Sequence, residues 1–244
     1  MTKIKNFGPI KGGYNEDDGW IDIKKVTIFI GNQGSGKSTV TKLISTFQWI
    51  EKSLYRGDNT KGWIEKENRL KNTFLGFHNI NSYLNDNTSI EYRGDAYNIS
   101  YSNSRLKIEK LNESNYDLPQ IMYVPAERNF LAYVRKPKDL NLSGGALKEF
   151  LGVYEEAKKI VKNETNLPIN KSSVEYSPQH DLLYVKGDDY EVRLDKASSG
   201  FQSIVPLYIV SKYLSDMVRN GVKKQGNMTD KQKVDFQKEL QFQC

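Results

Sequence analysis

The chain has 244 residues, 37% of them hydrophobic and 11% aromatic, with a net charge of +6, enough for one sizeable core or a domain with a smaller subdomain. No apolar run approaches the roughly 20 residues of a membrane helix and MTKIKNFGPIKGG lacks a signal-peptide core, so a cytoplasmic chain with no membrane partner is expected. The single cysteine, Cys244, rules out an internal disulfide, and with only His78 and His180 beside it a Cys/His zinc site is nearly excluded.

The elements follow in chain order. Ile4 to Ile10 reads as a first strand broken at Gly8-Pro9. GWIDIKKVTIFIG alternates and then runs solidly apolar from Val26 to Ile30, which predicts a half-buried antiparallel strand and then one covered on both faces. Val40, Leu43, Ile44, Phe47, Ile50 and Leu54 recur at helical spacing, predicting a helix from Thr39 to about Tyr55 that ends at the turn cluster RGDN. NRLKNTFLGFHNINSYL reads as a helical pair, and SIEYRGDAYNISYSNSRLKIEKL as a strand meander turning near Gly94-Asp95 and Ser102-Asn103. Ile121 to Val124 predicts a short buried strand stopped by Pro125. Helical spacing returns over 145–162, short antiparallel strands follow with a turn at Gly187-Asp188, and Phe201 to Val218 predicts a further helix. DKQKVDFQKELQFQC is a candidate charged amphipathic helix.

One stretch carries chemistry on its face. Gly31, Asn32, Gln33, Gly34, Ser35, Gly36, Lys37 and Ser38 match G-x-x-x-x-G-K-[ST] at every fixed position, between a predicted strand and a predicted helix. Glycines let the backbone wrap a phosphate closely, and the following helix turns its free N–H groups toward the same place. In this Walker A pattern Lys37 is the catalytic candidate reaching the β- and γ-phosphates, Ser38 the Mg²⁺ ligand, and Thr39 completes the nucleotide-binding set. ATP or GTP with Mg²⁺ is therefore the expected cofactor, and the loop alone does not separate the two.

Two further stretches extend the reading. Asn6-Phe7-Gly8 ahead of the Walker A strand resembles the N-terminus of ABC-type ATPases of the SMC, RecF and OLD-like group, within the AAA/ABC P-loop proteins. Ser199, Gly200 and Gln202 in SSGFQS resemble the S-G-x-Q signature of that superfamily, with Ser198 in place of the usual Leu and Phe201 in place of the second Gly. The resemblance implies an α/β ABC-type head with a mixed central sheet, an antiparallel β subdomain and a helical lid. It implies one ATPase domain made of four segments: 1–55 with the loop, 56–118 as a β insertion, 119–196 with a central strand and lid, and 197–244 with the signature helix. It also implies a homodimer in which Ser199 of one copy faces the nucleotide held by Lys37 of the other, serving DNA repair, maintenance or defence through a nucleic acid or an effector protein. The basic excess suits nucleic acid, and equally suits simple solubility because charges of both signs are interspersed. Within YVPAERNF, Glu127 and Arg128 read equally as sensors of Mg²⁺ or γ-phosphate and as a surface ion pair.

Against efficient hydrolysis, no apolar strand ending in Asp-Glu or Glu-Glu follows Gln202. In the resembled family that Walker B strand supports Mg²⁺ and positions water. The sequence alone therefore reads as a truncated gene product, a fragment, or a chain completed by a partner. A non-hydrolytic nucleotide-binding module is the main alternative. A P-loop kinase is the third, disfavoured by the Tyr- and Asn-rich insertion and the lack of an Arg-rich lid stretch.

Overall fold

In a computed structural model, residues 1–112, 116–134, 142, 144–161, 164–169 and 171–225 are described, with the side chains of 221–225 left aside. They form two compact units that divide between Tyr123 and Val124. The predicted tail helix beyond 225 lies outside the described residues.

The first unit pairs β1 (Thr2–Lys5), β2 (Trp20–Ile21), β3 (Ser89–Arg93), β4 (Tyr97–Ser102) and β5 (Arg105–Lys110) in the order β2-β1-β3-β4-β5, every pair antiparallel. The meander from β3 to β5 turns where the sequence predicts. Its alternation explains why: Ile90, Tyr92, Tyr97, Ile99, Tyr101 and Ile108 are buried, while their neighbours along the strands face outward. The predicted first helix is α1 (Lys37–Arg56), which runs to Gly57 in a left-handed C-cap. Its apolar stripe is buried and joins the same core as the sheet; Phe47 stacks on Tyr92 with ring centroids 5.7 Å apart. Glu51, on the same helix, is 2% exposed and accepts from the Tyr92 hydroxyl at 2.6 Å and from the Ala96 and Tyr97 N–H groups at 2.7 and 3.1 Å. This buried carboxylate ties α1 to the β3–β4 turn through charge-assisted bonds. The predicted helical pair shrinks to a π-helical turn over Leu70–Leu75 and a 3₁₀ turn over Asn81–Tyr83, after the one-turn α2 (Lys61–Ile64).

Two predicted strands do not form. Val26 to Ile30 forms no strand among the described residues, and Val26, Ile28 and Ile30 are 76%, 78% and 93% exposed. Only Phe29 packs against the core. Ile121 to Val124 is half-buried and also lies outside any sheet among the described residues. The mixed central sheet expected from the resemblance is thus not present among the described residues; both sheets are wholly antiparallel. An apolar run specifies a covered strand only when a partner strand supplies its hydrogen bonds.

In the second unit, α3 (Gly145–Ile160) and α4 (Ser199–Gln225) accompany a sheet of order β6-β7-β8-β9: β6 (Thr165–Asn166), β7 (Ser173–Ser177), β8 (Leu182–Lys186) and β9 (Glu191–Arg193). Lys158 on α3 is buried and charge-neutralised by Glu155 at 3.1 Å and Asp181 at 2.7 Å. No helix among the described residues is long and apolar enough to cross a membrane.

Candidate functional site

The loop expected to cradle phosphate begins where the unpaired apolar run stops. Gly34 and Gly36 adopt φ of +81° and +94°, in the left-handed region that glycine enters without Cβ strain. A side chain at Gly34 would meet nothing, so the loop is open there, whereas a Cβ at Gly36 would stand 2.8 Å from the Ile10 side chain. Gly36 is therefore fixed from two directions, by backbone conformation and by a neighbour.

That neighbour belongs to the Asn6-Phe7-Gly8 turn. Phe7 and Ile10 exchange backbone bonds at 2.9 and 3.0 Å, closing a tight hairpin. The Asn6 carbonyl accepts from Thr88 and Asn85 at 2.6 and 2.7 Å, and the fully buried Phe7 meets Tyr83 edge-on. The turn's tip, Pro9-Ile10, rests against Gly36. The structure gives the turn a physical role, as the prop behind the end of the loop.

Lys37 opens α1 and folds back over the loop. Its ammonium donates to the Gly31 and Asn32 carbonyls, each at 2.7 Å, and lies 3.4 Å from the Ser35 hydroxyl. Ser35 N–H donates to the Asn32 carbonyl at 3.2 Å. Gly31 to Gly36 thus curls around the lysine. The first α-helical bond runs from Val40 N–H to the Gly36 carbonyl at 2.9 Å, so the N–H groups of Lys37, Ser38 and Thr39 are the helix's unused donors. The Ser38 hydroxyl is exposed and has no partner among the described residues; Thr39 is buried, and Gln33 lies exposed at the loop's crest.

One titratable group lies along α1 from the loop. His78 is 5% exposed, and burial, followed by repulsion from the Lys42 ammonium, lowers its pKa from 6.5 to about 4. Lys42 donates to the His78 carbonyl at 3.0 Å, and the ring sits edge-on to Phe77 and Tyr123. His78 is therefore neutral at physiological pH.

In the second unit the SSGFQS stretch starts α4 and divides its labour. The Ser198 hydroxyl accepts from Phe201 N–H at 3.5 Å and the Ser198 carbonyl from Gln202 N–H at 3.0 Å, so Ser198 occupies the capping position. Ser199 and Gly200 are exposed, and the Ser199 hydroxyl has no partner among the described residues. Gln202 differs: it is 5% exposed and its amide is engaged inside the turn. Arg128 donates to the Ser203 carbonyl at 3.1 Å and the Pro125 carbonyl at 3.3 Å, forming no ion pair with Glu127, which is exposed. Tyr133, which the sequence reading passed over, donates to Gln202 at 3.0 Å across 69 residues of chain. A tyrosine that distant carries no local pattern that would have flagged it.

Compared with protein-family models, with curated proteins and with solved structures, the chain matches none.

Proposed function

We propose that the chain binds MgATP at Gly31–Thr39 and that the bound nucleotide brings two copies together. The observation that carries this reading is the Lys37 ammonium centred in a glycine loop at the start of a 20-residue helix. The donor set fits a magnesium triphosphate: a cation, unused helix N–H groups, a free hydroxyl at Ser38 and an open backbone at Gly34.

In this account Lys37 exchanges its two carbonyl acceptors for phosphate oxygens, a stronger charge-assisted pairing. The N–H groups of Lys37, Ser38 and Thr39 would donate to the phosphates, and the Ser38 hydroxyl would be the oxygen offered to the metal. Mg²⁺, if bound, would supply charge neutralisation to the phosphates. The free Ser199 hydroxyl and the adjoining N–H groups of a second copy face the same phosphates, so the nucleotide acts as a bridge. Binding alone suffices for that association, and holding rather than rapid cleavage is the proposed activity. In the resembled family such association serves DNA repair, maintenance or defence, and the same kind of output is proposed here.

The test combines titration calorimetry with light scattering. MgATP is expected to bind the wild type and shift its mass toward a dimer. Ser199→Arg is expected to retain binding and lose the shift. A mass shift that is unchanged in Ser199→Arg would remove the second copy from the site.

A further inference from the structure

Gln202 is the residue whose resemblance-based role and structural position part most clearly. A signature glutamine is expected to face nucleotide, yet this one is 5% exposed and three bonds occupy it. Its Nε2 donates to the Asp195 and Ala197 carbonyls at 3.3 and 3.1 Å, using both amide hydrogens, while Oε1 accepts from the Tyr133 hydroxyl at 3.0 Å. An amide has two donors and one carbonyl oxygen, so little capacity remains for a ligand.

The same turn is held from a second side. Pro206 lies inside α4 and has no N–H, which deprives the Gln202 carbonyl of its helical donor. Arg128 brings a charged donor to the next carbonyl, Ser203, and with the same guanidinium grips Pro125. The 3₁₀ segment Ala126–Ala132 is thereby fastened to α4 at both ends, by Arg128 near its start and by Tyr133 just past its end.

We propose that Gln202, Tyr133 and Arg128 are positioning residues: a latch that sets the first turn of α4, so that the 125–133 segment governs nucleotide-dependent association of two copies. The inference rests on the reading of that turn as the surface meeting the second copy's nucleotide. The latch acts through Ser199 and the helix N–H groups and touches no phosphate itself. Its members use hydrogen bonds of fixed direction, which position the turn more narrowly than apolar packing. The exposed Ser199 has no side-chain bond among the described residues to hold it.

The experiment uses the full chain, with MgATP as the probe, and measures affinity by calorimetry, dimerisation by sedimentation and folding by thermal melting. Tyr133→Phe removes one donor from a side chain 58% exposed, so it folds. Gln202→Glu points a carboxylate at two carbonyls, Arg128→Ala frees the segment, and Arg128→Lys restores a cation. Single-chain affinity is expected to stay within about twofold of wild type. The dimer dissociation constant is expected to rise about tenfold in Gln202→Glu and Arg128→Ala and about threefold in Tyr133→Phe, with partial recovery in Arg128→Lys. A merely structural role would lower melting temperature and nucleotide affinity together. Dimerisation of Tyr133→Phe and Arg128→Ala at wild-type strength overturns the latch and leaves the association reading standing. A wild type that binds MgATP and never dimerises overturns both.

Discussion

Replacing Glu51 should loosen the helix that carries Lys37, and the size of the effect follows from its bonds. The carboxylate is buried and accepts three hydrogen bonds, two of them from the backbone N–H groups of Ala96 and Tyr97. Glu51→Ala strands three buried donors, each costing about 1–3 kcal/mol, and water entering the vacated space offsets part of this, leaving about 4 kcal/mol. Glu51→Gln keeps the shape: its carbonyl oxygen can face the two N–H groups and its amide the Tyr92 oxygen. It loses charge assistance and the acceptor of the Tyr92 O–H, which must turn to another partner, together about 1–2 kcal/mol. At about 4 °C per kcal/mol for a unit of this size, the expected fall in melting temperature is about 15 °C for Ala and about 5 °C for Gln. Differential scanning calorimetry reads both. A Glu51→Ala protein melting within about 2 °C of wild type, or a Gln variant as damaged as the Ala variant, would refute the claim that this carboxylate anchors the fold.

Other outcomes follow from the same geometry. Gly36→Ala must carry a side chain at φ +94° against Ile10, which displaces the turn behind the loop, and fluorescent-nucleotide titration should show about tenfold weaker MgATP binding. His78 has a folded pKa of about 4 against 6.5 unfolded, so the unfolded chain binds more protons on acidification. Its contribution is complete above about pH 6.5 and is lost progressively down to about pH 4, amounting to about 3 kcal/mol. Urea midpoints measured across that window should fall for the wild type, and the His78→Gln variant should lack that share of the slope. Ile30→Ser, at a side chain 93% exposed, should change stability by less than about 0.5 kcal/mol, whereas a loss of about 2 kcal/mol or more would mean that the run is covered after all.

Legibility in the sequence followed how local each cause was. Helix α1 was readable because its apolar spacing and Gly57 lie within one segment, and the β3–β5 and β7–β9 meanders because alternation and turn residues are short-range signals. The glycines at 34 and 36 stand where the backbone takes positive φ, a local match between residue type and conformation. Val26 to Ile30 was misread because an apolar run says what would be favourable to bury and not whether a partner strand is there to bury it. Gln202 and Arg128 were noticed as motif members, but their roles depend on Tyr133, Ser203 and Pro125, brought near by tertiary folding that no spacing rule reports. The Asn6-Phe7-Gly8 turn lay between these cases, with its identity visible and its contact with Gly36 not.

The central claim is that Lys37 holds a magnesium triphosphate, and calorimetric titration of MgATP into wild type and Lys37→Ala tests it most directly. Loss of a charge-assisted contact worth about 1.5–3 kcal/mol predicts affinity about 10- to 100-fold weaker in the variant, with melting temperature little changed because Lys37 bonds only its own loop. Equal affinity in the two proteins, or a wild type that takes up no MgATP, would contradict it.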